Sequence, residues 1–290
     1  METALLVYGL PVLYVLFAWW FLTGAVLFVV GLPRTTVRWT MGAATAVGIA
    51  ALAVLWQTAG DTSPAAAYAA FLAALLVWGW HEMSFLTGVV TGPRTTEAPR
   101  AAGRRPSFGA AFETLLYHEL AILVTAIGLF AMLWGAENQT GLWAFVVLWI
   151  MRISAKLNVY LGVPNLTEEF LPPHLTYLKT YFCRRSMNLL FPISVTLSTV
   201  GTFMLIGEAG TAASLFDKTA FTFLATLMAL ALIEHWFLVV PLPSAALWSW
   251  GLWSREGEVS AEGGAGAPVL ARTNVAVQPD PPQPVSATIF

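Results

Sequence analysis

The stretch GLWAFVVLWIMRISAKLNVYL, residues 141–161, is long enough to cross a hydrocarbon core of about 30 Å as one helix, and Gly141 to Met151 carry no charge. Its second half sets Arg152, Lys156 and Asn158 into the same run. A charged group at the centre of a membrane helix costs about 2.5–3.5 kcal/mol on insertion scales, so these side chains must turn toward a protein interior that stabilises them. A single helix has no interior. The run therefore predicts a bundle of spans around a polar centre.

The rest of the chain agrees. Over 290 residues, 58% are hydrophobic, 10% are charged and the mean hydropathy is +0.71, which excludes an ordinary soluble domain. With a formal net charge of −2, membrane lipid is the expected surrounding and nucleic acid is not an expected partner. A window of about 19 residues picks out seven apolar runs, near residues 5–31, 39–57, 65–91, 112–134, 141–161, 187–206 and 218–240. The fold class is thus an all-α, polytopic bundle of seven transmembrane helices.

Orientation follows from the basic residues, which stay on the cytoplasmic side of short loops. With the N-terminus periplasmic, one side collects Arg34, Arg38, Arg94, Arg100, Arg104, Arg105, Lys179, Arg184, Arg185, Arg255 and Arg272, and only Lys218 falls on the other. Glu2, Asp61, Glu137, Glu208 and Asp217 mark the outer side. The expected arrangement is N-terminus periplasmic and C-terminus cytoplasmic. The opening Met1-Glu2-Thr3 brings no basic segment before the first span, so this span is expected to stay as a helix rather than be cleaved. Residues 1–254 are expected to form the transmembrane domain. From about 255 the composition turns to Gly, Ala, Pro, Ser and Thr, which predicts a disordered cytoplasmic tail over 255–290.

Two cytoplasmic connections are long. Residues 92–111 are basic and rich in Pro, Gly and Ala, which suits a mobile segment at an anionic leaflet. In residues 162–186, Pro172-Pro173 precedes Leu175, Leu178 and Phe182 at helical spacing, predicting a short amphipathic helix over 174–182 that lids the cytoplasmic mouth. Trp248, Trp250 and Trp253 read as an interfacial aromatic anchor. The single cysteine, Cys183, lies beside Arg184 and Arg185 and reads either as a bystander thiol or as one made reactive by them.

Three His–Glu neighbours lie inside spans: His81-Glu82, His118-Glu119 and Glu234-His235. Counted from the cytoplasmic span ends at about 1.5 Å per residue, they fall in one layer with Arg152 and Lys156. His81 stands about ten residues from its expected span end near Thr91. The expected polar cavity is His81, Glu82, His118, Glu119, Arg152, Lys156, Asn158, Glu234 and His235, with Glu168, Glu169 and His174 at its mouth. Trp80-His81-Glu82-Met83 and Tyr117-His118-Glu119-Leu120 echo each other on antiparallel neighbours.

Four chemistries fit these residue types. The carboxylates can simply pair with the cations and histidines to fix helix register. His81, His118, Glu119, Glu234 and His235 can ligate a metal such as iron, although adjacent residues point about 100° apart on a helix, unlike the three-residue spacing of di-iron bundles. A neutral imidazole among aromatics can ligate the magnesium of a chlorophyll-type macrocycle such as bacteriochlorophyll. Buried Glu and His can also relay protons in a carrier.

The run Arg152-Ile153-Ser154-Ala155-Lys156-Leu157-Asn158-Val159-Tyr160-Leu161-Gly162-Val163-Pro164-Asn165, followed by Phe170-Leu171-Pro172-Pro173-His174-Leu175, resembles the signature of the photosynthetic complex assembly protein 2 family, PuhE. Trp80-His81-Glu82 through Thr91-Gly92-Pro93 and Tyr117-His118-Glu119-Leu120-Ala121 are similar to that family's pattern, and the likeness spans about residues 5–255. The resemblance implies a membrane factor of anoxygenic phototrophic bacteria. It would act in forming the reaction centre and core antenna, or in supplying bacteriochlorophyll to them, with reaction-centre or light-harvesting subunits as partners. It supplies no catalytic residues. The alternatives are a membrane metalloenzyme using iron on a pigment precursor or quinone, and a proton-coupled carrier.

Overall fold

Some of the helix starts sit where short polar side chains take up the free N–H groups of a first turn. Ser63 Oγ accepts the Ala66 N–H, with Pro64 filling the first helical position. Ser214 Oγ does the same for the Asp217 N–H. Asn188 Oδ1 accepts from the N–H groups of both Leu190 and Phe191. The computed structural model describes residues 4–99, 106–166, 168–241 and 244–254, and only the backbone of Glu169, Ser244 and Ala245.

The helices are α1 (Leu10–Val30, led by a π turn over Leu5–Gly9), α2 (Val37–Gln57), α3 (Pro64–Leu86), the short α4 (Phe108–Glu113), α5 (Leu116–Leu133), α6 (Thr140–Leu161), α7 (Leu190–Thr211) and α8 (Leu215–Phe237). Among the described residues every regular element is helical, and seven helices are long and apolar enough to cross a membrane. The chain is a multi-pass membrane protein. The expected spans are all present, with boundaries moved by a few residues. The third stops at Leu86, because Gly88 takes a φ of +80° that ends the helix. The fourth breaks at Leu115, whose φ of −131° separates α4 from α5. The sixth starts at the Asn188 cap and runs on to Thr211.

α3 is the central helix. It packs against α1, α2, α5, α6 and α8, while α7 covers α8 and α6 on the far side. Small residues permit this: Ala66, Ala67, Ala70, Ala73 and Ala74 line its buried faces, letting backbones approach where lipid supplies no hydrophobic drive. Toward the end that carries Asp61, Glu137 and Asp217, the space between α1, α3 and α8 is sealed by aromatic rings. Tyr14 and Tyr68 lie 4.7 Å apart, Tyr68 and Phe223 4.8 Å, and Phe71 and Phe223 4.9 Å.

The opposite, basic end is capped by protein. Residues 173–181 form a 3₁₀ helix, in place of the α-helix expected there. It buries Leu175, Tyr177, Leu178 and Tyr181 beneath Phe85 and Leu86 of α3. The first long loop, expected to be mobile, is fastened to this cap. Tyr181 donates to the Thr96 carbonyl, Thr180 Oγ1 accepts the Ala98 N–H, and Arg94 pairs with Glu113 at 2.7 Å. Its stretch from Arg100 to Arg105 lies outside the described residues, as does the tail expected over 255–290.

The expected tryptophan anchor is also different. Beyond α8 the chain returns to lie along α1: Trp248 is buried and donates to the Trp20 carbonyl, Trp20 donates to the Leu247 carbonyl, and Ser254 donates to the Phe28 carbonyl. A Cβ on Gly24 would lie 2.0 Å from the Trp250 ring, so this segment seats only against a glycine. Trp253 alone keeps the exposure of an anchor.

Phe71→Ala should lower the melting temperature in detergent by several degrees. The loss will be smaller than the about 3–5 kcal/mol of a water-soluble core, because lipid rather than water is the reference for the removed ring. Phe17→Ala, on the lipid-facing side of α1, should leave the melting curve unchanged. Equal shifts in the two variants would refute the packing.

Candidate functional site

Arg152 and Lys156 stand four residues apart and so project from one face of α6. On either side of that face run α3 and α5, and each supplies one His–Glu pair. Arg152 Nη2 donates to Glu82 Oε2 at 2.9 Å, and Lys156 Nζ donates to Glu119 Oε1 at 2.6 Å. The Lys156 ammonium also lies 5.9 Å from the centre of the Phe85 ring, a cation–π contact. The roughly 100° between adjacent residues on a helix explains the repeated motif: when the glutamate faces α6, its neighbouring histidine faces inward.

The histidines are the buried partners of each pair. His81 is 1% exposed and His118 0%. Their ring centres lie 6.5 Å apart with planes at 74°, and Phe85 sits 4.7 Å from His118. His81 Nε2 meets Thr125 Oγ1 at 3.0 Å. Neither nitrogen of His118, nor His81 Nδ1, nor Glu82 Oε1 has a hydrogen-bond partner among the described residues.

The third pair divides. Glu234 Oε1 accepts from Trp19 Nε1 at 2.8 Å and lies within electrostatic reach of Arg152. His235 turns the other way, into the seam between α6, α7 and α8. Its Nδ1 faces the Ala231 carbonyl at 2.9 Å and so carries the proton, which leaves Nε2 to accept from the Ser154 hydroxyl at 2.9 Å. Ser194 lies 2.9 Å from Ser154 and accepts from Asn158 Nδ2 at 3.1 Å. The layer therefore holds two connected parts, a charged one around α6 and a neutral hydroxyl chain behind it.

This geometry separates the five expected metal ligands. Glu119 is engaged by Lys156, Glu234 by Trp19 and His235 by Ser154, and only His81 and His118 face one another. Among the described residues no three His, Cys, Asp or Glu side chains stand close enough to share an ion. The five-residue set does not assemble, because the seam between α6 and α8 draws His235 away.

At the mouth, His174 rests on the turn that ends α3, where a Cβ on Gly88 would lie 3.1 Å from its ring. Glu168 ties the capping segment to its own loop, meeting Arg184 at 2.9 Å and Lys179 at 3.5 Å. The Arg184 guanidinium holds its carboxyl below the usual range, with Lys179 adding to the effect. Glu169 lies in the same turn, with its side chain outside the described residues. Because α3 ends at Leu86, His81 is five residues from the helix end rather than ten, so the layer is shallower than the spans suggest. Cys183 is half-buried, its N–H donating to the Val159 carbonyl and its carbonyl accepting from Val163.

Sequence reading missed Trp19, Thr125, Phe85 and Ser194. None is ionisable, and only the neighbouring helix makes each a partner.

Lys156→Met should leave the Glu119 carboxylate buried and uncompensated, a loss of about 3–5 kcal/mol by analogy with broken buried pairs. Adding Glu119→Gln should recover much of the melting temperature. A double variant no more stable than the single would refute the pairing.

The family described as "Protein of unknown function (DUF3623)" matches residues 5–259. A Rhodobacter capsulatus protein described as "Uncharacterized 30.4 kDa protein in puhA 5′region" is 39% identical over 251 residues, covering 85% of this chain and 92% of that one. No solved structure matches.

Proposed function

The chain belongs to the DUF3623 family, and from that premise we propose that it is an integral membrane factor for assembly of the bacterial photosynthetic reaction centre and core antenna, or for bacteriochlorophyll supply to them. The observation that carries this reading is the relative's placement 5′ of puhA, at 39% identity over most of both chains. That gene shares its puh designation with the PuhE assembly family that the Arg152–Asn165 motif resembles. Reaction-centre or light-harvesting subunits are the proposed partners, and the bacterial inner or intracytoplasmic membrane is the proposed location.

The proposed working part is the layer of His81, Glu82, His118, Glu119, Arg152, Lys156, Asn158, Glu234 and His235. Its arrangement supports a receiving site over a through-passage. Toward one end it is closed by the Tyr14, Tyr68, Phe71 and Phe223 rings, and toward the other it is covered by the 173–181 cap. Glu82 and Arg152 keep 14% and 44% of their side-chain surface open, so the charged part is reached from its side. A carrier would need those rings to part.

Deleting the gene in a phototrophic host should lower reaction-centre content, read from the near-infrared absorbance of isolated membranes. Arg152→Ala with normal protein levels should reproduce part of that loss. Normal reaction-centre content after deletion under phototrophic growth would sink the assignment. For orientation, with basic loops proposed cytoplasmic, alkaline phosphatase fused after Trp253 should be inactive and the same reporter at Glu137 active. The reverse pattern would overturn the topology.

A further inference from the structure

We propose that His81 and His118 form a two-ligand site for a monovalent soft metal cation, copper in its +1 state, inside the polar layer. The inference rests on the layer being the working part, as proposed above, and names its ligand.

Unmet chemistry comes first. A fully buried imidazole normally satisfies at least one nitrogen, since an unpaired buried polar group costs about 1–3 kcal/mol. His118 is 0% exposed and satisfies neither among the described residues, and His81, 1% exposed, leaves Nδ1 without a partner. Three imidazole nitrogens without partners thus lie on two facing rings.

Spacing comes second. An ion about 2.0–2.1 Å from one nitrogen of each ring, with that nitrogen about 1.2 Å from its ring centre, sets the two centres roughly 6.4 Å apart when all lie in line. The observed separation is 6.5 Å, with the planes at 74°.

Donor count and charge select the ion. With no third His, Cys, Asp or Glu close enough to share it among the described residues, zinc and iron, which take four or more ligands, are poorly served. Monovalent copper accepts two nitrogens in line. Glu82 already pairs with Arg152 and Glu119 with Lys156, so an ion of single charge brings less repulsion beside the Lys156 ammonium than a dication does. Thr125 holds His81 through Nε2, leaving Nδ1 for the ion, a hydrogen-bonded orientation typical of ligating histidines.

The test is a titration of purified wild-type protein in nanodiscs with monovalent copper against a chromogenic chelator. Uptake of one equivalent is expected, with X-ray absorption reporting two nitrogen ligands. His118→Phe and His81→Phe should fall to background. His118→Met should retain binding through its soft thioether, and Phe17→Ala, on the exposed side of α1, should bind like the wild type. Melting curves establish that each variant is folded, and the wild-type absorption spectrum decides the ligand set even if one is not. No uptake by the wild type, equal uptake by folded His118→Phe, or tighter binding of zinc than of copper would overturn the site. Since binding is read on purified protein, its failure is separate from the reaction-centre content that tests the assembly reading.

Discussion

The structure depends on neutralising two cations at bilayer depth. Arg152 and Lys156 are fixed on one face of α6 by their four-residue spacing, and hydrocarbon offers neither water nor counterion. Glu82 on α3 and Glu119 on α5 meet them at 2.9 and 2.6 Å, which sets the rotation of three helices about their axes. A register slip of one residue on α3 or α5 would turn the glutamate aside by about 100° and bring a histidine toward a cation. The His–Glu doublet is therefore a directional device, with one member for the ion pair and the other for the interior.

That constraint accounts for the asymmetry of the bundle. Where no charge has to be met, helices approach through alanines and close on aromatic rings, as the fully buried Ala67, Phe71 and Phe223 do. Where the charges lie, the helices are joined instead by polar side-chain contacts. The capping segment and the Trp248 return lie over this end of the bundle. Both lean on residues beside the layer, since His174 sits on the turn after α3 and Trp248 packs 5.0 Å from Trp19, which holds Glu234. Fold and candidate site are thus one construction, with the cover held by the groups it covers.

For a protein proposed to serve the assembly of pigment complexes, this arrangement presents chemistry toward the basic end of the bundle, between the aromatic rings on one side and the capping segment on the other. The charged part is open sideways at Arg152, while the two inward histidines are shut away from water. A partner approaching laterally meets an accessible guanidinium held in place by Glu82. A small ligand would meet His118 and the Nδ1 of His81, which have no hydrogen-bond partner among the described residues.

Span number and approximate span ends were legible in the sequence, because they follow from quantities local to each helix: apolar run length, charge position and distance from a loop. The pairing of Glu82 with Arg152 and Glu119 with Lys156 was not, since which carboxylate meets which cation depends on helix rotation and on which helices are neighbours. The same holds for His235, whose adjacency to Glu234 in the chain placed it with the charged cluster, while α7 and its Ser194 drew it into a separate seam. Loop fate needed tertiary contacts too. Pro, Gly and Arg describe a segment free to move, yet Thr96 and Ala98 are fastened by Tyr181 and Thr180, more than eighty residues away. Composition sets what must be buried. Only the folded chain decides against what.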